Sequence, residues 1–171
     1  MTPPILHTTN CILQAYKKDD LNRFLEMTTD KEVMHFMGGA DGDIEKQTKK
    51  FEKLLDVYEQ PPTSETKLFW AIHQGQKLVG HVQLKPTDYT NKNELELVYM
   101  VHPDSRRKGL MTEVLNLIKQ EQYRWKQQII ATIEFDNEIS MRLLNNWGII
   151  KKETQIDPED GEHYWKVWLS N

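Results

Sequence analysis

The sequence holds a single cysteine, Cys11, among 171 residues. A lone thiol has no partner for an internal disulfide, so a reducing, cytoplasmic setting is expected. Long apolar runs are also missing. Nothing approaches the roughly 20 consecutive apolar residues that cross a bilayer, and the start MTPPILHTTNCIL lacks the basic and unbroken apolar segments of a secretory signal. A soluble protein with no membrane partner is expected. Basic excess is absent as well: 22 Lys and Arg face 26 Asp and Glu, a net charge of −4 with the signs interspersed. That argues against nucleic acid, whose phosphates call for a basic stripe, and mildly favours a cationic ligand. The six histidines show no zinc spacing, Asp157 to Asp160-Gly161 lacks the ligand order of a calcium loop, and no Gly-x-Ser-x-Gly elbow or Walker turn occurs. No metal and no covalent nucleophile are indicated. With no repeat or Gly/Ser linker, residues 1–171 read as one domain, and Pro61-Pro62-Thr63-Ser64 as a loop inside it.

What is present is a pattern whose period changes along the chain. A strand is expected near Cys11–Tyr16, then a helix capped by Asp19 or Asp20 ahead of Leu21, Phe24 and Leu25. Ile44, Phe51, Leu54, Leu55 and Tyr58 share one face of a second helix. Lys67–His73 and Lys77–Lys85 read as strands joined through Gln74-Gly75-Gln76. Asn93–Val101 alternates at its start and turns apolar before Pro103, as a strand does when its far end is buried. Leu110, Met111, Val114, Leu115 and Ile118 stripe a helix from Gly109 to about Lys126. A strand at Ile129–Phe135 follows, then a helix at Ser140–Trp147 closed by Gly148. Strands at Ile149–Gln155 and Tyr164–Leu169 flank an Asp-Pro-Glu-Asp-Gly turn. The strand-helix-strand unit over 93–135 implies a parallel, right-handed crossover. The expected class is therefore mixed α/β: a twisted sheet of about seven strands flanked by about four helices.

Chemistry concentrates in Glu94-Leu-Glu-Leu-Val-Tyr-Met-Val-His-Pro-Asp-Ser-Arg-Arg-Lys-Gly-Leu-Met-Thr, a strand, a basic turn with a glycine, and the start of a helix. The first N–H groups of a helix are unsatisfied and carry partial positive charge. Gly109, Leu110, Met111 and Thr112 thus form a cradle for a pyrophosphate, with Arg106, Arg107 and Lys108 adding charge at its rim. An ordinary basic loop before an amphipathic helix fits the same residues equally well. Glu96, on the strand that leads into this turn, is a candidate general base. Glu94 shares its face of the strand two residues away, so the choice between them stays open.

The turn resembles the signature Arg/Gln-x-x-Gly-x-Gly/Ala of the GNAT superfamily, with Arg106 and Gly109 in place and Met111 where a small residue is usual. A side chain of that size either crowds the pyrophosphate or points into the core. Glu96-Leu-Val-Tyr99 is similar to the Ala-Glu-Ile-Gly-Tyr segment of the ribosomal-protein N-terminal acetyltransferase-like branch, Val98 replacing the glycine. Asn137-Glu-Ile-Ser140-Met-Arg142 through Trp147-Gly148-Ile149 resembles that branch's Asn-x-x-Ser-x-Arg…Gly-Phe motif. Thr9…Leu13, Glu32-Val33-Met34 and Val79-Gly80-His81 also fit, so the likeness covers nearly the whole chain.

The resemblance implies an acetyl-CoA-dependent N-acetyltransferase, acting by direct attack in a ternary complex. Its acceptor would be a primary amine of a small molecule or of a peptide or protein N-terminus. Pantetheine would pair with the open end of the fourth strand at Met100 and Val101, where an N–H would form an oxyanion hole. Asn137, Ser140 and Arg142 would meet the cofactor. Many relatives carry a Tyr seven residues after the motif Asn. Here Leu144 stands there and cannot donate a proton, which leaves Tyr99 as the candidate general acid. The missing Tyr and Met111 motivate a competing reading, a catalytically inactive CoA-liganded regulatory or binding module. A mixed α/β domain without a CoA site is a third. The glycine-rich loop His35–Asp43, with Trp70, His81 and Tyr89, supplies candidate acceptor contacts, and a homodimer is a family-level expectation.

Overall fold

Two short strands, β1 (Leu6–His7) and β2 (Ile12–Gln14), open the computed structural model, which describes every residue except 1, 41, 62–64 and 158–160. A 3-10 turn at Lys18–Asp20 leads into α1 (Leu21–Thr29). Asp20 caps no helix N–H there. Its carboxylate accepts the Lys17 N–H at 2.7 Å and meets the buried ring of His73 at 2.8 Å. In α2 (Lys31–Met34) and α3 (Ile44–Glu59), by contrast, Asp30 and Asp43 accept the N–H groups of Val33 and Lys46, the usual service of an Asp N-cap. Phe51, Leu54, Leu55 and Tyr58 form the packed face of α3 as expected, while Ile44, at its first turn, is 61% exposed.

The chain then builds β3 (Leu68–Gln74), β4 (Lys77–Lys85) and β5 (Glu94–Val101) as a meander, turning at Gly75 with φ +60°. Next come α4 (Leu110–Glu121) and β6 (Gln128–Glu134). Helix α4 stops short of the expected Lys126 because the chain tightens into a 3-10 turn at Gln122–Arg124. After α5 (Glu138–Trp147), β7 (Ile149–Ile156) and β8 (His163–Leu169) complete one sheet in the order β1-β2-β3-β4-β5-β6-β8-β7. The described residues thus hold eight strands and five α-helices, within the expected class. The additions are β1 and α2, too short to show a period. The expected loop at 61–64 and the turn at 157–161 fall largely outside the described residues.

Helices α4 and α5 cover one face of the sheet through Leu110, Met111, Val114, Leu115, Ile118, Leu144 and Trp147. The other face carries α1, α2 and α3, with Phe24, Met27, Val33, Met34 and Phe51 around Tyr16, Ala71 and Leu78. Strands β5 and β6 run parallel and pair at Glu94↔Gln128, Leu95↔Ile129 and Glu96↔Ile130. Beyond these pairs the two strands no longer bond each other, β5 keeping to β4 and β6 to β8, so the sheet splits at its centre. The split reverses one expectation for β5: its polar start, Glu94 to Leu97, is buried, and its apolar end, Val98 to Val101, is partly exposed, because the neighbour that would cover it has turned away.

Candidate active site

The split leaves main-chain groups to be accounted for. The Asn93 carbonyl accepts the Gln128 N–H at 2.9 Å, and the His102 N–H donates to the Val79 carbonyl at 2.9 Å. Backbone direction alternates along a strand, so odd-numbered residues of β5 face β6 and even-numbered ones face β4. Past Glu96, the N–H and C=O of Tyr99 and Val101 therefore open into the cleft. Met100 turns its main chain to β4, where a Cβ built on Gly80 would lie 2.8 Å from its carbonyl oxygen. Of the two residues expected along the pantetheine, Val101 presents its N–H to the cleft and Met100 does not.

At the α4 end, Gly109 sits at φ +73° as the N-cap and Arg107 at φ +59°. The first intrahelical bond is Glu113 N–H to the Gly109 carbonyl at 3.1 Å. The N–H groups of Leu110, Met111 and Thr112 meet no acceptor among the described residues. Space over Gly109 is open, since an added Cβ would touch nothing within 4 Å. Met111 is 6% exposed and packs in the core, so its side chain leaves the rim clear. Arg106 is engaged elsewhere: its guanidinium pairs with Glu32 at 2.9 Å and lies 4.0 Å from Asp30, tying the turn to α2. The rim charge is left to exposed Arg107, which makes no ion pair among the described residues, and to Lys108, which donates to the Asp104 carbonyl at 2.8 Å.

Asp104 holds the base of this turn. Arg23 bonds both its oxygens at 3.0 Å, and Lys77 adds a contact at 2.7 Å. These cations keep its carboxyl well below the usual carboxylate range. His102 sits between Asp104 and Glu26, at 2.9 Å from each.

The amide oxygen of Asn137 caps α5 by accepting the Ser140 N–H at 3.1 Å. Ser140 Oγ in turn lies 2.7 Å from the Tyr99 hydroxyl. Tyr99 packs against the core on the α4–α5 side, and burial pushes its phenol up to about 12 despite the Ser140 hydrogen bond. Arg142 is exposed. Leu144 has no exposed surface, so the site of the relatives' Tyr is a core position here.

Glu94 and Glu96 occupy the opposite face of β5. Glu94 receives Lys166 Nζ at 2.7 Å, Trp168 Nε1 at 2.7 Å, and the backbone and side chain of Asn91 at 2.9 and 3.2 Å. Burial pushes its pKa up, but the Lys166, Asn91 and Trp168 donors outweigh it and hold the carboxyl at about 2. Glu96 is only 4% exposed, and its Oε1 accepts the Thr132 hydroxyl. Its Oε2 has no partner among the described residues. Since the one fully buried unpartnered side-chain atom among them is Gln122 Oε1, Glu96 Oε2 must open onto solvent. Sequence reasoning missed Thr132 and Lys166. Each is the lone polar residue in an apolar stretch, Ile129 to Ile133 and Trp165 to Val167.

Of the candidate acceptor contacts, Trp70 is core and donates to the Pro4 carbonyl at 2.8 Å. His81 is buried against the Tyr16 hydroxyl at 2.8 Å. Tyr89 is half-buried, stacked edge-on to Tyr164 at 5.2 Å, and donates to Asp157 at 2.5 Å. In the loop at 35–43, Gly38, Gly39 and Gly42 take positive φ; Asp41 lies outside the described residues.

The profile of the family described as Acetyltransferase (GNAT) domain matches residues 10–150. The chain belongs to this GNAT family. As such it is an N-acetyltransferase that uses acetyl-CoA. Solved GNAT structures share the fold over nearly the whole chain. A ribosomal-protein-S5-alanine acetyltransferase from Vibrio fischeri superposes with a TM-score of 0.73 at 12% identity, covering 98% of this chain and 97% of the other. An acetyltransferase from Salmonella typhimurium that modifies the N-terminal serine of ribosomal protein L7/L12 gives 0.74 at 11%, with 98% and 100% covered. Spermidine N-acetyltransferase from Vibrio cholerae, in complex with CoA and spermine, gives 0.70 at 13%, with 95% and 96% covered. No curated protein matches the sequence. Among the described residues of this GNAT chain, no helix is long and apolar enough to cross a membrane.

Proposed function

We propose that this chain, as a single domain over 1–171 in a reducing cytoplasm, acetylates a primary amine. The acceptor is a small molecule or a peptide or protein N-terminus, and attack is direct within a ternary complex. The observation that carries the reading is Glu96, a buried carboxylate with one oxygen open at the point where β5 and β6 part. The acceptors named for the Vibrio and Salmonella neighbours, an N-terminal serine and spermidine among them, are amines of this class.

The thioester of acetyl-CoA supplies an activated acetyl carbonyl. Leu110, Met111 and Thr112 offer free N–H groups to the pyrophosphate, and Arg107 and Lys108 flank it with charge. Glu96 Oε2 takes the ammonium proton, directly or through water, freeing the lone pair for attack on the carbonyl. The Val101 N–H receives the charge that develops on the acetyl oxygen. On the other face, Tyr99 stays protonated at neutral pH, and its hydroxyl, held by Ser140, donates a hydrogen bond to the sulfur as the C–S bond breaks and the thiolate leaves, while the nitrogen gives up its second proton to solvent. Asn137 keeps its amide nitrogen for the pantetheine while its oxygen caps α5.

Calorimetric titration with acetyl-CoA, beside desulfo-CoA and adenosine bisphosphate, tests the cofactor half. One saturable site per chain is expected, followed by thiol release when amines are added. No binding at high micromolar concentration would overturn the proposal.

A further inference from the structure

We propose that Thr132 is a positioning residue for Glu96, a role that rests on Glu96 acting as the base. Main-chain pairing between β5 and β6 ends at Glu96↔Ile130. Thr132 lies two residues beyond Ile130 on the same face, where β6 has already begun to diverge. Its hydroxyl reaches back across the opening to donate to Glu96 Oε1. That bond does two things. It stops rotation of the carboxylate, so that Oε2 is the oxygen presented to an incoming amine. It also occupies the oxygen that a neighbouring ammonium would otherwise take. Two lysines neighbour it in the sheet: Lys85 lies directly across from Glu96 on β4, and Lys166, whose ammonium is held by Glu94 and the Tyr89 carbonyl, directly across from Thr132 on β8. Lys166 has already captured Glu94. A glutamate drawn into such a pair has its oxygens filled by donors and its proton affinity reduced, and it no longer serves as a base. A hydroxyl donates one hydrogen bond without delivering a full charge, so it fixes Glu96 Oε1 and leaves Oε2 without a donor among the described residues.

Thr132→Val keeps the shape and removes the donor. Thiol release from acetyl-CoA is followed with spermidine and with a peptide bearing a free N-terminal serine as probe amines. The expected result for Thr132→Val is a fall in kcat of about tenfold, the scale of one hydrogen bond to a charged group. Acetyl-CoA affinity should stay within about twofold. Thr132→Ser should restore most of the rate, and Thr132→Val added to Glu96→Gln should cost nothing further. Crystal structures of both variants give a readout independent of the acceptor: the Glu96 carboxylate turns toward Lys85 or Lys166 in Thr132→Val and stays in place in Thr132→Ser. Equal losses in the Val and Ser variants would reduce Thr132 to packing and overturn the proposal. So would full activity of Thr132→Val beside a slow Glu96→Gln. If Glu96→Gln itself turns over normally, the base assignment falls instead. If neither probe amine reacts, or Thr132→Val does not fold, the Glu96 orientation in crystals of Thr132→Val or Thr132→Ala decides alone, an unmoved carboxylate counting against.

Discussion

Glu94 and Glu96 stand two residues apart on one face of β5, almost equally hidden from solvent, and they have opposite fates. Glu94 accepts four hydrogen bonds, one from a buried ammonium. Glu96 accepts one, from a hydroxyl, and keeps an oxygen open. Burial therefore does not distinguish the carboxylate held in an ion pair from the one proposed as the base. Spare acceptor capacity separates them, and the strand geometry decides who has it. At Glu94 the chain pairs with β6 on one side and bonds the loop after β4 on the other, and Lys166 and Trp168 of β8, with Asn91 of that loop, fill the carboxylate. One pleat further on, main-chain pairing with β6 ends at Glu96↔Ile130, and Thr132 of β6 is the single donor among the described residues that reaches the carboxylate.

The largest effect that would sharpen this contrast is on turnover. Glu96→Gln is expected to lower kcat about a hundredfold, the low end for a general base, while acetyl-CoA affinity measured by calorimetry stays within about twofold. A well-folded Glu94→Gln that lost as much would break the comparison. Next comes stability, where the order inverts. Glu94→Gln strands Lys166 without its counter-ion in the protein interior, a loss of about 3 kcal/mol, whereas Glu96→Gln changes stability by less than about 1 kcal/mol. Urea unfolding of the two variants measures both. The acid limb gives the same contrast a sign. The Glu94 carboxyl is depressed in the folded protein to about 2, so its contribution is present in full above the ordinary glutamate value of about 4.3 and is lost as pH falls through about 2. Unfolding midpoints of the wild type should drop across that window more steeply than those of Glu94→Gln. The smallest effect belongs to the other face of the sheet. Tyr99→Phe removes one donor to a sulfur that already leaves fairly well as thiolate, and should cost about threefold to fivefold in kcat, measured with the same amine.

The long elements were legible because each carries many turns of its period. The stripe of α4 placed Met111 with Val114, Leu115 and Ile118, which is where it packs, and so answers the question of whether it crowds the phosphate turn. Asn137 read both as a cap and as a ligand, and its oxygen caps. Sequence places Arg106 at the phosphate rim by its neighbours and by the signature it matches, and does not carry the Glu32 that α2 brings to its guanidinium from 74 residues away. The proposal of Glu96 over Glu94 draws on what sequence does not carry, for the same reason: two identical side chains on one face differ only in distant partners. Nor does local pattern encode that β8 lies inside β7, because a hairpin can join a sheet by either arm.

The Glu94–Lys166 pair spans 72 residues of chain. During synthesis, therefore, the carboxylate destined for the middle of the sheet is made long before its counter-ion. The β3–β5 meander can zip locally, and Asn91 supplies Glu94 with two local donors, but covering β5 on its β6 side before β8 emerges encloses the carboxylate without its counter-ion. The cost of that enclosure favours late closure of the parallel β5–β6 joint, once the last strand inserts beside β6.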